Sequence, residues 1–291
     1  LVIEGASASG VVVRCNGARI DPADKQLADK DSLLIRAVHR QGNWSAPSGV
    51  RIEGCRIEGS LRIAGMALNG QGEALYAASR LPGYVEQLRR TAPSDVLVTG
   101  ATITAHGRIP FYIGPGVHGI RLVSSALQGE SRSVAVYLDA ESFGNEIVDN
   151  QIAVKTAREQ LAIDASARNR IADNRFGKVR HGGIYLYRNC GEGGVIRHTT
   201  PSFNTIQNNL LEMEKAGEDR PPIWLGSRQG GRWYCWRDSG YSFGSSADDR
   251  DFARDNRVIG NRVQGASASP LVVIGSPNDT GNVLEDNRLV G

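Results

Sequence analysis

Asparagine and branched apolar residues alternate on a fixed frame through the second half of the chain, as Asn, x, apolar, x, x, Asn, x, apolar. The copies are Asn145-x-Ile147-x-x-Asn150-x-Ile152, Asn169-x-Ile171-x-x-Asn174-x-Phe176, Asn204-x-Ile206-x-x-Asn209-x-Leu211, Asn256-x-Val258-x-x-Asn261-x-Val263 and Asn282-x-Leu284-x-x-Asn287-x-Leu289. Their starts lie 24, 35, 52 and 26 residues apart, so a unit of about 25 residues is interrupted by two longer excursions. Short apolar runs returning at that period predict an all-β solenoid, a parallel β-helix. Each short strand buries its apolar positions only by stacking on the coils above and below.

Without the Asn requirement, earlier turns keep the apolar spacing: Val11-x-Val13, Val50-x-Ile52-x-x-Cys55-x-Ile57, Val96-x-Val98-x-x-Ala101-x-Ile103 and Ile120-x-Leu122-x-x-Ser125-x-Leu127. That makes about nine coils, a stack on the order of 40 Å at a strand separation of about 4.8 Å. The repeat spans most of residues 1–291, which reads as one elongated domain. The Asn residues belong at the bends, where left-handed backbone is tolerated and side chains bond along the stack. They are structural and are not assigned to a site.

A second short strand precedes each Asn motif: 109–113, 134–138, 161–163, 183–186, 222–225 and 271–274. Aligned on Ile113, Leu138, Ile163, Leu186, Leu225 and Ile274 as inward residues, these form one continuous sheet. Three excursions break the period: Glu73 to Pro93, with a short helix expected over Tyr84–Leu88, then Cys190 to Ser202, and Glu214 to Asp255. The last holds Trp233, Tyr234, Trp236, Tyr241 and Phe243 beside Asp248, Asp249, Arg250 and Asp251, whose carboxylates read as a solvated loop. Long loops on a rigid scaffold are where binding and catalysis concentrate.

The outward positions of the second strands carry the chemistry. Tyr112, Tyr137, Tyr185 and Trp224 are expected to form an aromatic row that binds sugar faces. Beyond them come Asp139 and Glu141, then Asp164, Tyr187, Arg188 and Arg228, and the turn after Arg188 adds Glu192, Arg197 and His198. Asp139 and Asp164 should be neighbours across the sheet, with Glu141 on the same face. Like charges side by side destabilise a sheet, so Arg188 and its neighbours neutralise the cluster, a proton is held, or a hard cation such as calcium binds Asp139, Glu141 and Asp164. A ladder of structural ion pairs is the competing reading. His39, His106, His118 and His181 receive no role.

With 34 basic and 31 acidic residues, no block of like charge and no basic stripe, the composition argues against nucleic-acid or membrane partners. No apolar run approaches the roughly 20 residues of a membrane span. The chain starts at Leu1, as a mature form without its targeting segment would. Four widely spaced cysteines fit two disulfides of a secreted or periplasmic protein, with Cys15–Cys55 and Cys190–Cys235 as a pairing; four buried thiols are the alternative. Oligomeric state is not indicated.

Over nearly its whole length the chain resembles the right-handed single-stranded parallel β-helix proteins of the pectin-lyase-like superfamily, most closely in Gly183-Ile184-Tyr185-Leu186 and Asn204-x-Ile206-x-x-Asn209-x-Leu211. The resemblance implies a polysaccharide cleft on the outer face of the first sheet. Pectate-lyase-type members bind calcium through clustered carboxylates and use Arg as base, roles that would fall to Asp139, Glu141 and Asp164 and to Arg188. The Asn-Thr-Asp, Asp-Asp, Gly-His-Gly and Arg-x-Lys series of polygalacturonases does not occur in order. Asp21-Pro22-Ala23-Asp24 lacks the His of the epimerase string. The reading is a lyase or C5-epimerase acting on a uronate-containing polysaccharide or oligosaccharide. Arg188, His198 or a Tyr would be the base, and Tyr185 or Tyr187 the donor to the leaving oxygen. A glycoside hydrolase using two of the three carboxylates, or a non-catalytic glycan-binding solenoid, are the alternatives.

Overall fold

A computed structural model describes residues 1–22, 31–214, 220–230, 232–233, 235, 250–265 and 270–291. Three parallel sheets of nine strands each run the length of a right-handed parallel β-helix, and every coil contributes one strand to each sheet. The first sheet contains Val2–Glu4, Asp31–Arg36, Ser60–Ala64, Phe111–Ile113, Val136–Leu138, Leu161–Asp164, Ile184–Tyr187, Ile223–Leu225 and Val272–Ile274, in that order. Its register places Ile113, Leu138, Ile163, Leu186, Leu225 and Ile274 in line, as the apolar spacing predicts.

Stacks of like residues fill the interior. Ile52, Val98, Leu122, Ile147, Ile171, Ile206 and Val258 form one column, all fully buried. Each such side chain contributes roughly 1.5–3 kcal/mol through burial.

The bends behave differently from the sequence expectation in one respect. Left-handed backbone falls on the residue before each Asn: Asp149, Asp173, Asn208 and Asp286 at one bend, and Arg168, Phe203 and Asp255 at another. The Asn residues serve through their side chains. Asn150 sends its backbone N–H and its Nδ2 to Asn174 Oδ1, both at 3.0 Å, and Nδ2 also reaches the Leu122 carbonyl at 2.9 Å. Asn174, Asn209 and Asn261 repeat the pattern toward Asn287. In an early coil Cys55 takes the same bend position and is disulfide-bonded to Cys15.

The excursion after Ala64 forms two helices, Glu73–Ala78 and Tyr84–Arg90, the second where the sequence places one. Leu75, Tyr84 and Leu88 pack with Val195 in a satellite cluster over the stack. The segment from Cys190 to Ser202 is thereby clamped between these helices and the first sheet. Cys190 is bonded to Cys235. Of the last excursion, Tyr234, Trp236, Tyr241, Phe243, Asp248 and Asp249 lie outside the described residues.

Candidate functional site

The outward face of the first sheet brings together two groups of side chains. One is buried. Tyr112 and Tyr137 are paired in register, with rings stacked at 5.6 Å, and their hydroxyls donate to Asp139 and Asp164 respectively. Arg197 reaches across from the clamped segment to both carboxylates, bonding Asp164 through Nη1 and lying 3.4 Å from Asp139 through Nη2. Asn189 adds two donors to Asp164, at 2.9 and 2.7 Å. Asp139, Asp164 and Arg197 are 3, 0 and 3% exposed, so this cluster is closed to solvent. Burial pushes Asp139 up, and Arg197 opposes that shift while Asp164 adds to it. Burial works against the charge of Arg197, yet the carboxylates outweigh it and hold the group above its usual range.

Asp139 and Asp164 are therefore neighbours as expected, but the neutralising arginine is Arg197. Arg188 is fully buried and sends Nε to the Arg250 carbonyl at 2.8 Å. Glu141 leaves the sheet face at a left-handed turn and accepts the backbone N–H groups of His198 and Thr199 at 2.6 and 3.0 Å. His198 meets the Ser79 carbonyl at 2.8 Å and lies against Tyr84, away from both aspartates. Glu192 accepts from Gln71 Nε2, which lies in the excursion after Ala64. Asp251, read as solvated, is buried and accepts the backbone N–H groups of Arg188 and Arg228 at 2.8 and 2.7 Å.

These positions test the expected calcium site. Arg197 stands between Asp139 and Asp164, and Glu141 is turned to another segment, so the three carboxylates do not converge. Among the described residues no cluster of three or more His, Cys, Asp or Glu could hold a metal ion. Calcium does not fit this donor set.

The second group is open. The aromatic row is interrupted by Ala162, which pairs with both Tyr137 and Tyr185, and it resumes as Tyr185 edge-on to Trp224 at 5.6 Å. Beside that pair lies a cavity of about 370 Å³ lined by Arg158, Glu159, Tyr185, Tyr187, Trp224 and Arg228, and bordered by Arg220, Ser227 and Arg232. The Tyr187 hydroxyl donates to Glu159 Oε1 at 2.9 Å, and Arg158 Nη2 lies 3.3 Å from the same hydroxyl. The Arg228 guanidinium stands over the Tyr187 ring at 4.6 Å. Burial first, then Glu159, drive the Tyr187 phenol far up, so it stays neutral and donates. Arg228 Nε and Trp224 Nε1 are buried donors with no partner among the described residues. Four arginines around one carboxylate make this a cationic, aromatic cleft.

Two other grooves are larger and carry less chemistry. One of about 440 Å³ runs over bends at Ser124, Asp149 and Asp173. Another of about 410 Å³ lies beside Trp44, where Arg36 and Arg40 are paired with Glu4. Arg158 and Glu159, central to the open cleft, escaped the sequence reading. They sit just before the strand at Leu161, and only the winding carries them to Tyr187.

No protein-family model matches the chain, and no curated protein does. Among solved structures it is similar to a PL6 alginate lyase in complex with a trisaccharide, with a TM-score of 0.33 and 10% identity, covering 100% of this chain and 79% of that one.

Proposed function

We propose that the cleft at Arg158, Glu159, Tyr185, Tyr187, Trp224 and Arg228 accepts a uronate of an acidic saccharide, and that the chain is a polysaccharide-active β-helix protein of an exported compartment. The carrying observation is the pair of buried, unpartnered donors, Arg228 Nε and Trp224 Nε1, beside the Tyr185–Trp224 aromatic pair. A buried donor without an acceptor is unfavourable by roughly 1–3 kcal/mol, and a sugar carboxylate would supply the acceptor. Aromatic faces match the apolar faces of sugar rings, and Arg matches carboxylate. Two disulfides fit an oxidising compartment. No helix among the described residues is long and apolar enough to cross a membrane.

β-Elimination is the reaction this charge arrangement serves. Arg228 and Arg158 would neutralise the uronate carboxylate and so ease removal of the adjacent proton. Glu159 would take that proton while Tyr187 gives its own to the leaving oxygen. The hydrogen bond Glu159 shares with Tyr187 then returns the proton to the phenolate and resets the pair. A glycan-binding solenoid without turnover is the second reading, favoured by the closure of Asp139, Asp164 and Glu141, which leaves Glu159 as the single carboxylate lining the cleft among the described residues. Incubation with a panel of polyuronates decides. New ultraviolet absorbance from unsaturated ends, lost in Tyr187→Phe, supports elimination; calorimetric binding without turnover supports the solenoid. Absence of both across the panel ends the proposal.

A further inference from the structure

Between the first and second sheets the bends stack into a strip that lies outside both the interior cluster and the cleft. Backbone N–H groups of Gly144, Arg168 and Phe203 each meet a carbonyl of the next coil at 3.1 Å, which sets three cation–aromatic pairs along the axis. The guanidinium of Arg89 lies 4.4 Å over the Phe143 ring, that of Arg168 4.8 Å over Phe203 and that of Arg254 4.9 Å over Phe252. We propose that this strip docks an extended carboxylated polysaccharide, at a surface that shares no residue with the cleft.

Two observations carry it. Phe203 is 50% exposed and holds φ at +59°, a left-handed conformation that bulky side chains rarely adopt. The equivalent bend residues of other coils include Gly119, Gly144 and Gly281. A phenyl ring held out to solvent on strained backbone adds nothing to the interior, and such outliers gather at binding sites. Arg89, Arg168 and Arg254, for their part, take part in no ion pair among the described residues; Asp95 and Asp255 are the row's carboxylates, one toward each end. Stacking on a ring restrains each guanidinium and leaves N–H donors for a carboxylate. Successive coils are about 4.8 Å apart, comparable with one sugar unit, so carboxylates spaced along a polymer can meet the arginines in turn. Each ring already carries a guanidinium on one face, which disfavours nucleobase stacking and favours a polyuronate over single-stranded nucleic acid.

Affinity electrophoresis and calorimetry with polygalacturonate and polymannuronate test this, with Trp224→Ala as the parallel change in the cleft. Arg168→Gln combined with Arg254→Gln, and separately Phe203→Gly, are expected to weaken polymer binding about 10-fold, with the loss greatest at low salt. The same fold-change is expected in a Trp224→Ala background, whereas a disaccharide, too short to follow the strip, should bind the strip variants as it binds wild type. Phe203→Gly should leave the melting temperature unchanged or raise it by about 1–3 °C, since glycine takes the left-handed bend without strain. The proposal is overturned if wild type holds neither polymer, or if the strip variants bind polymer as wild type does. It is also overturned if Phe203→Gly lowers the melting temperature, which would mark the ring as scaffold, or if an oligodeoxynucleotide displaces the polymer at lower concentration than free polymer does. Loss confined to Trp224→Ala would leave the cleft reading intact and end this one; loss confined to the strip variants would keep this one and remove Trp224 from the cleft.

Discussion

The phenol of Tyr187 donates to Glu159 across 2.9 Å, joining residues 28 positions apart on consecutive coils at the floor of the open cleft. Both partners are nearly inaccessible, at 1 and 2% exposure, so the bond is shielded from bulk water. In the proposed elimination this hydrogen bond is the path by which the proton passes between the two groups.

Removing either end of that relay has distinct consequences. Tyr187→Phe keeps the ring beneath Arg228 but deletes the donor. Turnover of a uronate substrate is expected to fall by about 100-fold or more, with affinity changed little. Glu159→Gln should reduce turnover similarly. By removing the one negative charge among the lining groups it should also leave saccharide affinity unchanged or tighter. Steady-state kinetics beside calorimetry separates the two effects.

Trp224 meets Tyr185 edge-on and lines the same cavity. Trp224→Ala is expected to weaken saccharide binding about 10-fold, corresponding to about 1.4 kcal/mol, through loss of the aromatic face and its buried donor. Melting temperature should move little, since this side chain lies outside the interior column. A tenfold weaker titration with an unchanged melt would confirm the division between cleft and scaffold; unchanged affinity would remove Trp224 from the site.

How far this was legible in the sequence depends on the range of each contact. Asn150, Asn174, Asn209 and Asn261 repeat within a local frame, so the coils and the inward column from Ile113 to Leu225 follow from spacing. The Asn roles were half visible: ladder bonding was expected, while left-handed backbone belongs to the preceding residues, because the side chain must remain free to turn inward. The site is set by loop return, which carries no period. Arg188 directly follows the strand and Arg197 lies nine residues on in the excursion, and only the packing of residues 190–202 under Leu75, Tyr84 and Leu88 decides which one meets the carboxylates. Glu159 and Tyr187 required a full winding to meet.

The Asn ladder gives a stability expectation. Asn174 accepts two bonds from Asn150 and donates two to Asn209, and its Nδ2 also meets the Ile147 carbonyl at 2.8 Å. Asn174→Ala leaves the buried Asn150 donors and the Ile147 carbonyl without these partners, so a loss of about 2–4 kcal/mol is expected in urea unfolding. Asn287→Ala, at the last coil where the ladder is only partly buried, should be milder. Equal losses at both positions would contradict burial as the source.

The buried cluster carries a pH signature whose sign follows from Asp139. Burial, opposed by Arg197 and reinforced by Asp164, raises this carboxyl above its ordinary 3.8 in the folded protein. Between 3.8 and that raised value the folded state holds a proton that the unfolded chain has released. Stability from this group therefore falls as pH rises through that window and does not return at higher pH. Tyr112, Arg197 and Asp164 are the charged or titratable partners that set the shift, and the phenol of Tyr112 is itself pushed well up by burial and by Asp139, so it remains a donor throughout. Asp139→Asn keeps the side-chain volume and cannot ionise. Urea unfolding of wild type between pH 4 and 8 should show a decline over the lower part of the range that the variant lacks, whereas parallel curves would place the pH dependence elsewhere in the molecule.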